Sequence, residues 1–147
     1  METENTLQEN RLLIVDDEAS TTLLLKKILE REGYRVDTAN SALTALMLTE
    51  RSKYHIVISD ILMPDMDGLD LLQELRKRDP LIQVVIMTAG VTMNRAISAL
   101  EHGATDFILK PIEPEELVIV TRLCEAKLKR WKGLLRAAFH QKKKESF

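Results

Sequence analysis

The chain has 147 residues, and its 21 lysines and arginines against 23 aspartates and glutamates give a formal net charge of -2. Its longest apolar runs reach about five residues against the roughly 20 that span a bilayer, and the polar, acidic start METENTLQEN lacks the basic and apolar stretches of a signal peptide. A single cysteine, Cys124, excludes an intramolecular disulfide and a cysteine-based metal site, leaving a domain-sized protein expected in the cytoplasm.

Taken in chain order, five short apolar runs fall at 11–15, 35–39, 55–59, 83–87 and 106–109. The centres LLIV, IVI and VVIM are nearly continuous, the pattern of strands buried on both faces. A segment of helical periodicity follows each run. Over 20–31, Leu23, Leu24, Lys27, Ile28 and Arg31 lie at spacings that make one stripe. Gly33 and Gly103 sit where a helix needs a left-handed closing residue, and Pro80 stops the third helix after 76–79. Strict alternation of strand and helix predicts a parallel sheet with helices on both faces. In such folds ligands bind beyond the carboxyl ends of the strands.

Those ends carry polar groups. Asp16, Asp17 and Glu18 follow the first run, Asp60 the third, Thr88 the fourth and Lys110 the fifth. Singly, each has an ordinary explanation. Asp16 or Asp17 can cap a helix, Asp60 can start a turn, Thr88 can fill a strand and Lys110 can sit on the surface. Together they put three carboxylates, a hydroxyl and an ammonium on one rim. Crowded carboxylates repel unless a cation intervenes. An oxygen-only set suits Mg²⁺, while the lysine and threonine suit the oxygens of a phosphoryl group passing to a carboxylate, with Asp60 as nucleophile.

The pieces LLIVDDE (12–18), VISDILMPDMDG (57–68), VIMTAG (85–90) and DFILKP (106–111) resemble the receiver domain of two-component response regulators, over about residues 8–122. The resemblance implies an α/β, flavodoxin-like, doubly wound sheet of order 2-1-3-4-5 with five helices. It implies phosphoryl transfer to Asp60 from a sensor histidine kinase or a phosphotransfer protein. Carried over by position, Asp17, Asp60 and the Leu62 backbone carbonyl ligate Mg²⁺, Asp16 acts through a bound water, and Thr88 and Lys110 hold phosphoryl oxygens. Thr88 and Phe107 are the implied switch pair. Where relatives often carry a tyrosine, Phe107 has no hydroxyl, so a switch there rests on packing; a plain core aromatic is the alternative. Leu62 and Gly90, at positions that tune phosphoryl lifetime, have no side chain able to orient water, so slow loss of the phosphoryl group is expected.

The implied output is protein–protein contact with a downstream target. The segment 90–102 contributes Val91, Met93, Ile97 and Leu100, more apolar positions than one buried stripe needs. Residues 122–147 hold nine basic and two acidic residues (9 − 2 = +7), so residues 1–121 carry 12 − 21 = −9. Pro114, Glu115 and Glu116 start a helix of about 25 residues with an apolar stripe at Leu117, Val120, Cys124, Leu128, Trp131, Leu135 and Ala138. Fraying after Gly133, self-association into a homodimer, a linker role, and binding of nucleic acid or an anionic membrane are its candidate explanations. No nucleic-acid motif accompanies the basic residues. The expected division is 1–9 flexible, 10–122 receiver and 123–147 basic helical extension. A receiver cut from a longer transcriptional regulator is an alternative. An aspartyl-nucleophile phosphatase would need an acid where Leu62 stands. No enzyme is expected beyond catalysis of the protein's own phosphorylation and dephosphorylation.

Overall fold

The computed structural model describes residues 10–90 and 92–145; residues 1–9, expected as a separate N-terminal segment, and Val91 lie outside the described residues. The elements run β1 (Arg11–Val15), α1 (Ala19–Arg31), β2 (Arg35–Ala39), α2 (Ala42–Arg51), β3 (Ile56–Asp60), α3 (Gly68–Arg78), β4 (Gln83–Thr88), α4 (Met93–Glu101), β5 (Asp106–Leu109) and α5 (Pro114–Glu145). All pairings are parallel, and the strand order is β2-β1-β3-β4-β5. This is the expected sheet. The third strand begins and ends one residue later than the apolar run predicts, and the fourth extends by one. Asp60 and Thr88 are therefore the last residues of their strands, paired in the ladder through Asp60 with Met87 and Thr88 with Leu109.

The pleat sends alternate residues to opposite faces. Leu12, Ile14, Ile56, Ile58, Val85 and Met87 pack with Leu25 and Leu29 of α1 and with Leu117, Val120 and Cys124 of α5. Leu13, Val15, Val57, Val84 and Ile86 pack on the other side with Ala42 and Ala45 of α2, Leu71, Leu72 and Leu75 of α3, and Ala99 of α4. Both faces are covered, which is why the strand centres read as continuous apolar runs.

Two helices differ from their sequence reading. In α1 the buried face is Thr22, Leu25 and Leu29, while Leu23 and Leu24 are exposed. The helix has apolar residues on two faces, and the stripe spaced by three and four from Thr22 is the one that meets the sheet. Leu24 and Ile28 instead line a groove with Val118 and Ile119 of α5. α5 runs for 32 residues rather than about 25, and it continues through Gly133.

The punctuation is as expected. Gly33 and Gly103 have φ of 93° and 89°, and their N–H groups bond the carbonyls of Glu30 and Leu100. α3 ends at Arg78, two residues before Pro80. Arg76 then ties that end to the α4–β5 turn, its guanidinium donating to the carbonyls of Pro80 and Gly103. On the far edge Tyr34 donates to Glu125, and Arg122 pairs with Glu32 at 2.9 Å, holding α5 against the α1–β2 corner.

Leu72 is fully buried between α3 and the sheet. Leu72→Ala is expected to lower unfolding free energy by about 2–5 kcal/mol through lost burial and a cavity, read as a fall in urea midpoint at unchanged slope.

Candidate functional site at the carboxyl edge of the sheet

β1 and β3 are adjacent central strands, so the residues at their ends are brought side by side. Asp16 follows β1 and is fully buried, its N–H donating to the Ala39 carbonyl at 3.1 Å. One of its oxygens accepts from the Glu18 N–H at 3.0 Å, which fixes the start of the β1–α1 loop. Asp16 and Asp17 do not cap α1. Its N-cap is Glu18, which makes no side-chain capping bond. Asp17 is exposed beside Asp16. Asp60 is also buried, with one oxygen accepting from the Leu62 N–H at 3.2 Å. One ligand atom from each of Asp16, Asp17 and Asp60 lies within 4.8 Å of the others.

Lys110 answers this crowding. Its Nζ lies 2.8 Å from Asp16 Oδ2 and 2.9 Å from Asp60 Oδ2, a two-pronged ion pair delivered from the end of β5. Burial pulls the ammonium's pKa down, but hydrogen bonds and charge from Asp16 and Asp60 outweigh it and leave the pKa above its ordinary value. A group whose folded pKa is raised contributes its stabilisation below the unfolded pKa and loses it only as pH rises through the folded one. For a lysine both lie at alkaline pH, so the bridge is intact across the neutral range. The Lys110 N–H donates to the Thr88 carbonyl at 2.8 Å, and the Lys110–Pro111 bond is cis.

Thr88 is buried, and its hydroxyl donates to the Gly90 carbonyl at 3.2 Å. Phe107 is half-buried against the α3/α4 core and lines a cleft of about 230 Å³ with Ala96, Ala99, Leu100 and Ala104. Leu62 is exposed at the rim. Asp16, Asp17, Asp60, Thr88, Lys110 and Leu62 thus gather at one edge, whereas Phe107 sits three residues before Lys110, on β5 and paired in the ladder with Ile86. Met93, Ile97 and Leu100 of α4 are exposed, as expected for that surface, and Leu109 of β5 is exposed beside them.

Sequence reasoning missed the parts that shape the loop after β3. A Cβ on Gly68 would stand 2.5 Å from the Asp60 carbonyl oxygen and 2.7 Å from Ile61 Cα, so the glycine lets α3 start directly under the acidic residue. Asp65 accepts from the N–H groups of Ala42 and Leu43, which lowers its pKa through those bonds and anchors the loop to the start of α2. Asp67 caps α3 through the Leu69 N–H and pairs with Arg95 of α4 at 2.5 Å. The D-x-D-G spacing hints at the capping turn; nothing local in the sequence points to Arg95.

The model of the response regulator receiver domain family matches residues 12–122, and the chain belongs to that family. The alginate biosynthesis transcriptional regulatory protein AlgB of Pseudomonas syringae pv. tomato is 37% identical over 116 residues, covering 79% of this chain and 26% of AlgB. The chain spans about a quarter of the length of AlgB and of the regulatory protein AtoC of Escherichia coli. A CheY-like receiver domain protein from Methanospirillum hungatei superposes with a TM-score of 0.80 at 30% identity, covering 82% of this chain and 97% of that one. NtrX from Brucella abortus gives 0.82 at 32% identity, covering 86% of this chain and 29% of that one.

Lys110→Met removes the cation and leaves the two buried carboxylates facing each other. The expected cost is about 3–5 kcal/mol of unfolding free energy at neutral pH in chelator-treated buffer, measured by urea denaturation.

Proposed function

We propose that this receiver takes a phosphoryl group from a phosphohistidine of a sensor kinase or phosphotransfer protein onto Asp60 and thereby alters a protein-binding surface on α4 and β5. The observation that carries the reading is the cluster of Asp16, Asp17 and Asp60 bridged by a single ammonium. Three carboxylates against one cation leave two formal negative charges at the rim, so a further positive charge is needed before a phosphoryl group can approach.

The donor set fits Mg²⁺: Asp17, Asp60 and the Leu62 backbone carbonyl would hold it directly, with Asp16 acting through water, all hard oxygen ligands. When bound, the ion supplies the charge neutralisation that lets an anionic phosphoryl group meet an anionic carboxylate. Asp60 provides the attacking oxygen. The bond from phosphorus to the donor imidazole nitrogen breaks as the bond from phosphorus to the Asp60 oxygen forms, and the donor is left as a neutral histidine after taking up a proton. Lys110 is already within bonding distance of Asp60, and it would move its contact from the carboxylate to a phosphoryl oxygen. Thr88 now donates to the Gly90 carbonyl. Turning that hydroxyl toward the phosphoryl group frees the carbonyl, and the cleft beside Phe107 gives the ring space to move by packing alone. The catalysis is confined to this protein's own phosphorylation and its reversal.

Output through a downstream protein follows from the exposed Met93, Ile97, Leu100 and Leu109. Among the described residues no helix is long and apolar enough to cross a membrane. The relatives' roles as transcriptional regulators make a place in a longer regulator the second reading, since the chain matches only about a quarter of AlgB. A phosphatase of the aspartyl-nucleophile type is disfavoured by Leu62, which offers no acid at the position such chemistry requires.

Incubation with acetyl phosphate and Mg²⁺ is expected to add one phosphoryl group by intact mass, with none in Asp60→Asn or with chelator. Thr88→Ala should still accept the group yet show a smaller change in α4 amide exchange. The phosphorylated form should persist for minutes rather than seconds, since neither Leu62 nor Gly90 can position water. Failure of Asp60→Asn to abolish labelling would refute the assignment.

A further inference from the structure

The last helix carries a surface that phosphoryl acceptance does not use. Leu117, Val120, Thr121, Cys124 and Leu128 are its buried positions and face the sheet. At 3.6 residues per turn, Trp131, Leu135, Ala138 and Phe139 fall on the continuation of that same line, with Leu134 at its edge. All five are exposed, the four large ones by 47–64%. The stripe that packs on the body therefore runs on past it for roughly 25 Å over residues 129–145. Beside it, below the amino ends of the strands, lies a corner lined by Asn10, Glu125, Leu128, Lys129, Lys132, Gly133 and Arg136, none of them a residue of the exposed stripe.

We propose that a second copy of this chain covers this stripe, with its own overhanging helix running antiparallel. Direction is the first reason. Leu128 and Leu135 face the same way, so a parallel partner seated on Leu135 would continue upward into the space the first copy's own sheet occupies. An antiparallel partner leads away from it. Spacing is the second. With Leu135 on the two-fold axis, Trp131 of each helix meets Phe139 of the other, and Leu134 and Ala138 close the seam.

Charge is the third reason. Parallel pairing sets the two Lys142–Lys144 ends together, whereas antiparallel pairing holds them at opposite ends of the seam. A flat anionic bilayer would complement the basic residues, but the receiver body projects on the side the apolar stripe faces and keeps a plane from reaching it. The five side chains offer on the order of 500 Å² of apolar surface per copy. The total of roughly 1,000 Å² is at the lower limit for a specific interface and gives a concentration-dependent dimer. Because the overhang projects from the end of the sheet opposite Asp60, the pairing is independent of phosphorylation and of the function proposed above.

The test uses the full chain. Trp131→Cys and Phe139→Cys are prepared separately, one isotopically heavy, and oxidised alone and mixed; Cys124 is buried and stays in place. The mixture is expected to yield disulfide-linked heterodimer about tenfold faster than either variant alone. Sedimentation of the unmodified chain should show a dimer whose dissociation constant rises at least about tenfold in Leu135→Asp, with unchanged circular dichroism, and stays constant with beryllofluoride. Trp131→Cys linking to itself as fast as the mixture, a monomer at every concentration, or a monomer that binds phosphatidylserine vesicles would overturn the proposal.

Discussion

The ammonium of Lys110, held between two buried carboxylates from neighbouring strands, is the contact on which the rest of the structure depends. Asp16 and Asp60 end up side by side because β1 and β3 pair in parallel at the centre of the sheet. Removing two like charges from water at that separation is strongly unfavourable unless a cation lies between them. β5 has to end where it does for Lys110 to reach both. Strand order, strand length and the position of that one lysine are thus a single constraint. Its effect is a site that is assembled yet still short of positive charge.

That shortage connects the site to the surfaces around it. The loop from Asp60 to Gly68 is pinned at both ends, through Gly68 packed on the Asp60 carbonyl and Asp65 bonded to the start of α2. Asp67 reaches across to Arg95 on α4. A change of charge at Asp60 therefore acts on a loop with little slack, and the loop touches the helix whose exposed methionine, isoleucine and leucine form the proposed output surface. On the other side, Thr88 connects to Gly90 and so to the residues leading into α4. Two short covalent and hydrogen-bonded paths run from the acid cluster to the same helix.

Much of this was legible in the residues. Continuous apolar centres announce strands buried on both faces, and the polar residues that end them announce the rim. Those signals are local, so they survive without coordinates. The limits were non-local. α1 has two apolar faces, and only the position of the sheet decides that Leu25 and Leu29 are inside while Leu23 and Leu24 are out. Arg95 looks like any surface arginine until Asp67 is placed beside it. Gly133 reads as a weak point, yet α5 passes through it. It has open space around it, and a solvated helix with good formers on both sides absorbs the roughly 1 kcal/mol that glycine costs.

The charge division along the chain has a matching division in space. The acidic excess belongs to the body that presents carboxylates at one end of the sheet, and the basic excess to a helix that leaves from the other. Were the lysines of α5 near the rim, they would compete with Lys110 for Asp16 and Asp60 and fill the deficit that a phosphoryl-accepting site requires. The length and direction of α5 keep them away: the helix starts beside the site with Glu115 and Glu116, and seven of its nine basic residues lie beyond Leu128. Separation by a whole domain's thickness, well beyond the Debye length of about 8 Å at physiological salt, lets one chain keep an acidic site and a cationic helix without either neutralising the other.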